Sequence, residues 1–195
     1  DSLIIENWLI ATTPSVLYAG VVRWRYRFDG VEIGARLGLV LGRSRWYLVS
    51  MAASVPFIVL GALASKWTSS FQGSMTGPFA GAVPSPPILA AALSYAFVAT
   101  GFPEEILFRG LIAGALFRKL SFWTANALQA LVFTVPHLLI LLVAPRLWFL
   151  MPGVFITALV LGWLRKRSGS IGPGIIVHAT SNLAGALAVM NWSAQ

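Results

Sequence analysis

From Ile88 to Phe117 the chain reads ILAAALSYAFVATGFPEEILFRGLIAGALF, an apolar run interrupted near its middle by two adjacent carboxylates, Glu104 and Glu105, and then by Arg109. Crossing a bilayer core takes about 20 apolar residues, so the run is long enough to span. Unpaired charge in hydrocarbon is costly, and a spanning segment that keeps three charges needs a reason for them. The remaining acids are Asp1, Glu6, Asp29 and Glu32, so beyond position 32 this pair supplies every carboxylate in the chain. The two histidines, His137 and His178, also fall inside apolar stretches. The polar groups hardest to accommodate in a membrane are therefore candidates for one site.

Working outward, 57% of the residues are hydrophobic, 10% are charged and the mean hydropathy is +0.79, more apolar surface than a soluble domain of this length hides. Apolar runs at Trp8 to Val22, Trp46 to Ala64, Ile88 to Phe117, Phe122 to Val143, Leu147 to Leu164 and Ile171 to Val189 predict an all-α, polytopic transmembrane bundle of about six spanning helices. A single domain over residues 1–195 is expected, with N-terminal spans and a loop in 1–87 and the chemistry-bearing core in 88–190. The net charge of +8 is gathered at the ends of apolar runs, at Arg23, Arg25 and Arg27, at Arg43 and Arg45, at Arg118 and Lys119, and at Arg165, Lys166 and Arg167. That placement reads as cytoplasmic loops, with both chain ends outside, and nucleic acid is not an expected partner. Residues 31–42 suit a short helix at the cytoplasmic interface, where Gly34, Gly38 and Gly42 permit either close packing or a glycine-rich turn. The stretch from Ser65 to Pro87 reads as an external loop. The chain has no cysteine, which excludes thiol chemistry and Cys-ligated metal. No cleavable signal peptide is expected, since the first segment has acidic flanks.

On a helix Glu105 and Arg109 are i and i+4 and share a face, while Glu104 projects about 100° away. The two acids are therefore expected to do different jobs: Glu105 pairs with Arg109, and Glu104 is left to meet something else. Counting from the proposed cytoplasmic ends, Glu104, His137 and His178 lie roughly 21, 23 and 13 Å deep, and Asn182 lies one turn past His178. A carboxylate base, two imidazoles and an amide are the parts needed to activate water, attack a carbonyl and stabilise an oxyanion, which points to peptide-bond hydrolysis. Two histidines and a glutamate are also a ligand set for Zn²⁺. The metal-free reading is favoured, because one glutamate cannot easily be both ligand and free base and Glu105 is taken by Arg109. The catalytic water then needs no cofactor. Proline at 103 disfavours helix at Phe102, so a break or kink is expected there, with both acids near the start of a half-helix. A proton-coupled transporter or channel and a non-catalytic scaffold or immunity protein are the competing classes.

The segment Glu104-Glu105-Ile-Leu-Phe-Arg109 resembles the EExxxR motif of the CAAX protease and bacteriocin-processing (Abi) family of intramembrane endopeptidases, which includes the type II CAAX prenyl endopeptidases. Phe133-Thr-Val-Pro-His137 is similar to that family's FxxxH motif, and His178-Ala-Thr-Ser-Asn182 to its HxxxN motif. The resemblance covers roughly Ile88 to Val189. It implies that Glu104 with His137 activates water, that His178 and Asn182 stabilise the oxyanion, and that Glu105, Arg109 and Phe133 organise the site. It also implies a membrane-anchored or lipidated protein or peptide as substrate, the lipid bilayer as environment, and a place in a bacterial cytoplasmic membrane. Prenylated CAAX proteins, bacteriocin leaders and C-terminal sorting signals all remain open as substrates.

Overall fold

The computed structural model describes residues 2–68, 76–142 and 145–190, and among them every element is helical. We number the helices α1 (Ser2–Tyr26), α2 (Gly30–Leu37), α3 (Arg45–Thr68), α4 (Pro86–Leu116), α5 (Phe122–Leu138), α6 (Met151–Ser168) and α7 (Gly172–Met190). Short 3₁₀ turns extend α5 through Leu139–Leu142 and lead into α6 through Pro145–Leu150. Five of these stretches are long and apolar enough to span: Arg45–Leu63, Pro86–Leu116, Phe122–Leu142, Pro145–Ser168 and Gly172–Met190. The expected first span, α1, forms a helix of 25 residues, but Glu6, Asn7, Thr12, Thr13 and Pro14 dilute its apolar character. Among the described residues five stretches thus meet that measure of length and composition, and α1, which falls short of it by composition, lies against α4. Part of the expected external loop, residues 69–75, lies outside the described residues. The rest of it does not hang free: Phe79 is buried against Tyr95, Val189 and Met190, and the Gly81 N–H donates to Val189 O at 3.0 Å.

The packing is that of a protein solvated by lipid. Large side chains such as Leu48, Met51, Val55 and Val59 on α3 face outward, while Ala92, Ala96, Ala113, Ala125, Ala130, Ala158, Ala179 and Ala186 are fully buried. Small residues let helices approach closely where lipid tails remove the hydrophobic drive. The closest pairing is α3 along α7, where a Cβ at Gly61 would strike Ser181, whose hydroxyl donates to Phe57 O at 2.9 Å. Between α5 and α6 the cement is polar: Asn126 and Gln129 donate to Leu159 O (3.0 Å) and Ala158 O (2.8 Å), in space that Gly162 leaves free.

Helix α4 does not break before the acids. Phe102 keeps helical angles (φ −65°, ψ −52°), and the chain absorbs Pro103 by widening: Ser94–Gly101 and Ile106–Ala113 are π-helical, flanking one α-helical turn, Phe102–Glu105. Proline lacks an N–H and crowds the carbonyl four residues back, and a five-residue step ahead of it relieves both problems. Phe102 N–H accordingly reaches Phe97 O. With the helix continuous, the expected half-helix start is absent, and the acids are held by side chains instead.

Helix α2 is shorter than expected and ends for a local reason. Asp29 and Glu32 form a reciprocal capping box (2.8 and 2.9 Å), and Gly38 at φ +72° closes the helix as Leu39 N–H returns to Gly34 O at 2.7 Å. Gly38 and Gly42 (φ +68°) thus serve as turns. The freed carbonyls at this end are taken by Arg165, which donates to Ala35 O (3.4 Å), Arg36 O (3.2 Å) and, across the bundle, Arg109 O (3.2 Å). Gly110 and Gly114 open the groove on α4 in which the Leu37 and Arg36 carbonyls rest. The loop into α7 is pinned to the same place, since Ile171 N–H donates to Gly38 O at 3.0 Å.

Candidate active site

The closed half of the site is built around Glu105. Its Oε1 lies 3.0 Å from Arg109 Nη1, and both side chains are fully buried. The same oxygen lies 3.1 Å from His178 Nδ1. A carboxylate paired with a guanidinium accepts and does not donate, so the proton of this bond sits on Nδ1 of His178. The other oxygen, Oε2, fits against α7 only because position 174 is glycine, where a Cβ would come within 2.5 Å of it. Arg109 lies over the Phe133 ring at 4.2 Å, and apart from the close ion pair with Glu105 its nitrogens have no hydrogen-bond acceptor among the described residues. Its charge is therefore balanced first by Glu105, with Glu104 and the ring face adding to it.

The open half faces the other edge of the same imidazole. Glu104 Oε2 stands 3.7 Å from His178 Nε2, beyond a hydrogen bond, and its side chain is 18% exposed. His137 is turned by its own helix: Nδ1 is 2.8 Å from Phe133 O and donates a hydrogen bond to that carbonyl, which leaves Nε2 of the neutral ring with a free lone pair. It makes no hydrogen bond to Glu104, whose charge nevertheless acts on both imidazoles and on the phenol of Tyr95. Phe133 is the wall common to all, with its ring centroid 4.6 Å from His137, 6.0 Å from His178 and 4.9 Å from Phe108. Asn182 is half-buried and donates one amide proton to Thr100 Oγ1 at 2.9 Å. The Thr100 hydroxyl lies 3.1 Å from both Tyr95 O and Ala96 O, carbonyls of the widened α4 turn. Asn182 keeps a second N–H that this bond does not use. Among the described residues no three His, Asp or Glu side chains gather closely enough to hold a metal ion.

Glu104, Glu105, Arg109, Phe133, His137 and His178, separated by up to 74 positions, meet in one region, and Asn182 borders it through Thr100. Glu105 does more than the expected pairing with Arg109, since it also orients His178. Sequence reasoning missed Thr100, Tyr95 and Gly174. Thr100 stands four residues before Glu104, a spacing that was available as a signal; the crowding that requires Gly174 shows only in three dimensions. It also read Arg165 only as part of a basic cluster marking a cytoplasmic loop, whereas the side chain is 9% exposed and knits α2, α4 and α6 together.

This arrangement of carboxylates, imidazoles and amide within apolar helices agrees with what sequence comparison finds. The profile described as type II CAAX prenyl endopeptidase Rce1-like matches residues 86–184, just over half of the chain and all of the site. No curated protein and no solved structure matches the chain. The chain is thus an integral, multi-pass membrane protein that belongs to the Rce1-like type II CAAX prenyl endopeptidase family.

Proposed function

We propose that the protein is an intramembrane endopeptidase that hydrolyses a peptide bond near the end of a prenylated or otherwise lipid-anchored protein. The observation that carries this reading is the partly exposed Glu104 carboxylate, poised across a 3.7 Å gap from an imidazole that a second, buried carboxylate holds from behind. Glu104 takes a proton from water, with the free Nε2 of His137 aiding the transfer, and the hydroxide adds to the scissile carbonyl. The oxyanion accepts hydrogen bonds from the spare Asn182 N–H and from a proton on His178 Nε2. Two carboxylates against one guanidinium leave a negative charge in a low-dielectric site, and that Nε2 proton neutralises it. When the intermediate collapses, the C–N bond breaks and the proton held by Glu104 passes to the leaving nitrogen, restoring the carboxylate. Water is the only co-reactant, and the donor set around Glu104 is assigned to proton and oxyanion work rather than to a metal.

The test is cleavage of a farnesylated peptide by the purified protein in lipid, with the unprenylated peptide and Glu104→Gln alongside. The reading predicts cleavage of the farnesylated peptide, loss of turnover by at least about a hundredfold in Glu104→Gln, and retention of activity after a chelator has been applied and removed. Full activity in Glu104→Gln would overturn it. Insertion with the basic loops in the cytoplasm is part of the same proposal. Single cysteines replacing the exposed Val83 and Lys119 report it: an impermeant thiol reagent applied to intact cells should label the first and spare the second.

A further inference from the structure

Away from the acids, the start of α3 and the end of α6 form a cleft of about 360 Å³ lined by Arg43, Arg45, Lys166 and Arg167, with Trp46 as its apolar wall. That volume lies at the lower end of the range of small-molecule sites, roughly 300–1,000 Å³. The four cations have no carboxylate partner among the described residues; Glu105 is held by Arg109 and His178, Glu104 faces His178, and Asp29 and Glu32 cap each other's backbone. Arg45 rests over the Trp46 ring at 5.3 Å and Lys166 approaches Phe117 at 5.5 Å, contacts that position charge without neutralising it. The negative end of α6 and the positive end of α3 both open on the cleft, each worth about half a charge, so they roughly offset and the four side chains decide its sign. Its depth is equally informative. The Arg45–Leu63 span begins here and the Pro145–Ser168 span ends here, so the cleft sits at the edge of the apolar belt with an indole beside it, the level at which headgroup phosphates lie.

We propose that this cleft binds the phosphate of an anionic phospholipid headgroup, which supplies the counter-charge that the described residues do not. A soluble phosphate would satisfy the charge but not the position, because only a lipid brings its phosphate to the end of a spanning helix with its acyl chains along the exposed apolar face of α3. The interaction is independent of the proteolytic chemistry.

Native mass spectrometry of the full chain in detergent tests it, with phosphatidylglycerol, phosphatidylcholine and inorganic phosphate as separate probes. Phosphatidylglycerol is expected to be retained at least tenfold better than phosphatidylcholine, and millimolar phosphate should neither bind comparably nor displace it. Combined replacement of Arg43, Arg45, Lys166 and Arg167 by Gln should bring phosphatidylglycerol down to the phosphatidylcholine level, while Arg23→Gln/Arg25→Gln/Arg27→Gln, a similar loss of charge elsewhere, should not. Removing four topogenic charges threatens insertion, so Arg43→Gln alone serves as a fold-safe variant with an expected loss of about fivefold, in line with the usual strength of one basic contact at an anionic surface. The conservative Arg43→Lys/Arg45→Lys/Arg167→Lys variant should retain binding. Unchanged phosphatidylglycerol retention in Arg43→Gln, equal loss in the distant triple variant, or displacement by inorganic phosphate would each overturn the proposal.

Discussion

Glu104 and Glu105 are neighbours with the same side chain, yet the two halves of the site they define are built on opposite terms. Around Glu105 everything is closed: the carboxylate is fully buried, one oxygen serves both Arg109 and His178, and the other lies against a glycine. Around Glu104 little is tied down: the carboxylate is partly exposed, and its nearest charged partner stands 3.7 Å away. One helical step, about 100°, separates them. Buried, ion-paired charge fixes geometry, whereas a partly exposed carboxylate keeps lone pairs for a reactant. Adjacent residues thus differ in burial and pairing because one helical step turns them toward different neighbours.

The sharpest way to break this contrast is Glu105→Gln, which strands the Arg109 charge without a counter-ion and loosens the hold on His178. We expect a stability loss of about 3–5 kcal/mol, seen as a melting temperature lowered by roughly 6–20 °C, together with loss of activity. Glu104→Gln should do the reverse. Turnover falls by a factor of about 10² to 10⁴ while the melting temperature moves by less than about 2 °C. Equal stability losses in the two variants would erase the distinction between the halves. Gly174→Ala sharpens the comparison by pressing on the closed half without touching its charges. The added methyl displaces Glu105, so we expect about 1–3 kcal/mol of destabilisation and a fall in kcat of up to about a hundredfold, the cost of moving a support by an ångström. The smallest effect belongs to Thr100→Val, which deprives the Asn182 amide of its acceptor. A five- to tenfold lower kcat at unchanged KM is expected, from the loss of roughly 1 kcal/mol, with Thr100→Ser close to wild type.

The helical class, the spanning segments of the second half and the polar residues that gather around the two acids were legible because membrane burial makes charge conspicuous. Glu104, Glu105, Arg109, His137 and His178 stand out against hydrocarbon, and their depths along separate helices were countable from sequence. What was not legible depended on who fills the space beside whom. Whether α1 counts as a span turns on a few polar residues in an otherwise apolar helix, a difference of degree. Gly38 could be read as part of a packing stripe or as a turn, and its left-handed φ of +72° decides for the turn, with the Arg165 guanidinium lying where a Cβ would go. Pro103 was read as a break because proline usually ends a helix, but a widened register was an available alternative that leaves no mark in composition.

That widened register changes how α4 must be counted. Ala96, Gly101, Glu105, Gly110 and Gly114 are all buried, in steps that alternate between five and four residues. From 96 to 114 the inward face therefore comes round four times, where 3.6 residues per turn would bring it round five. A helical wheel drawn with the ordinary period gains a full revolution over this stretch and drifts out of phase near the acids, so it cannot assign the inward face there. A cysteine scan read by lipid-phase quenching should show the slower beat, and its phase, rather than any single position, identifies the helix as wound around its two adjacent acids.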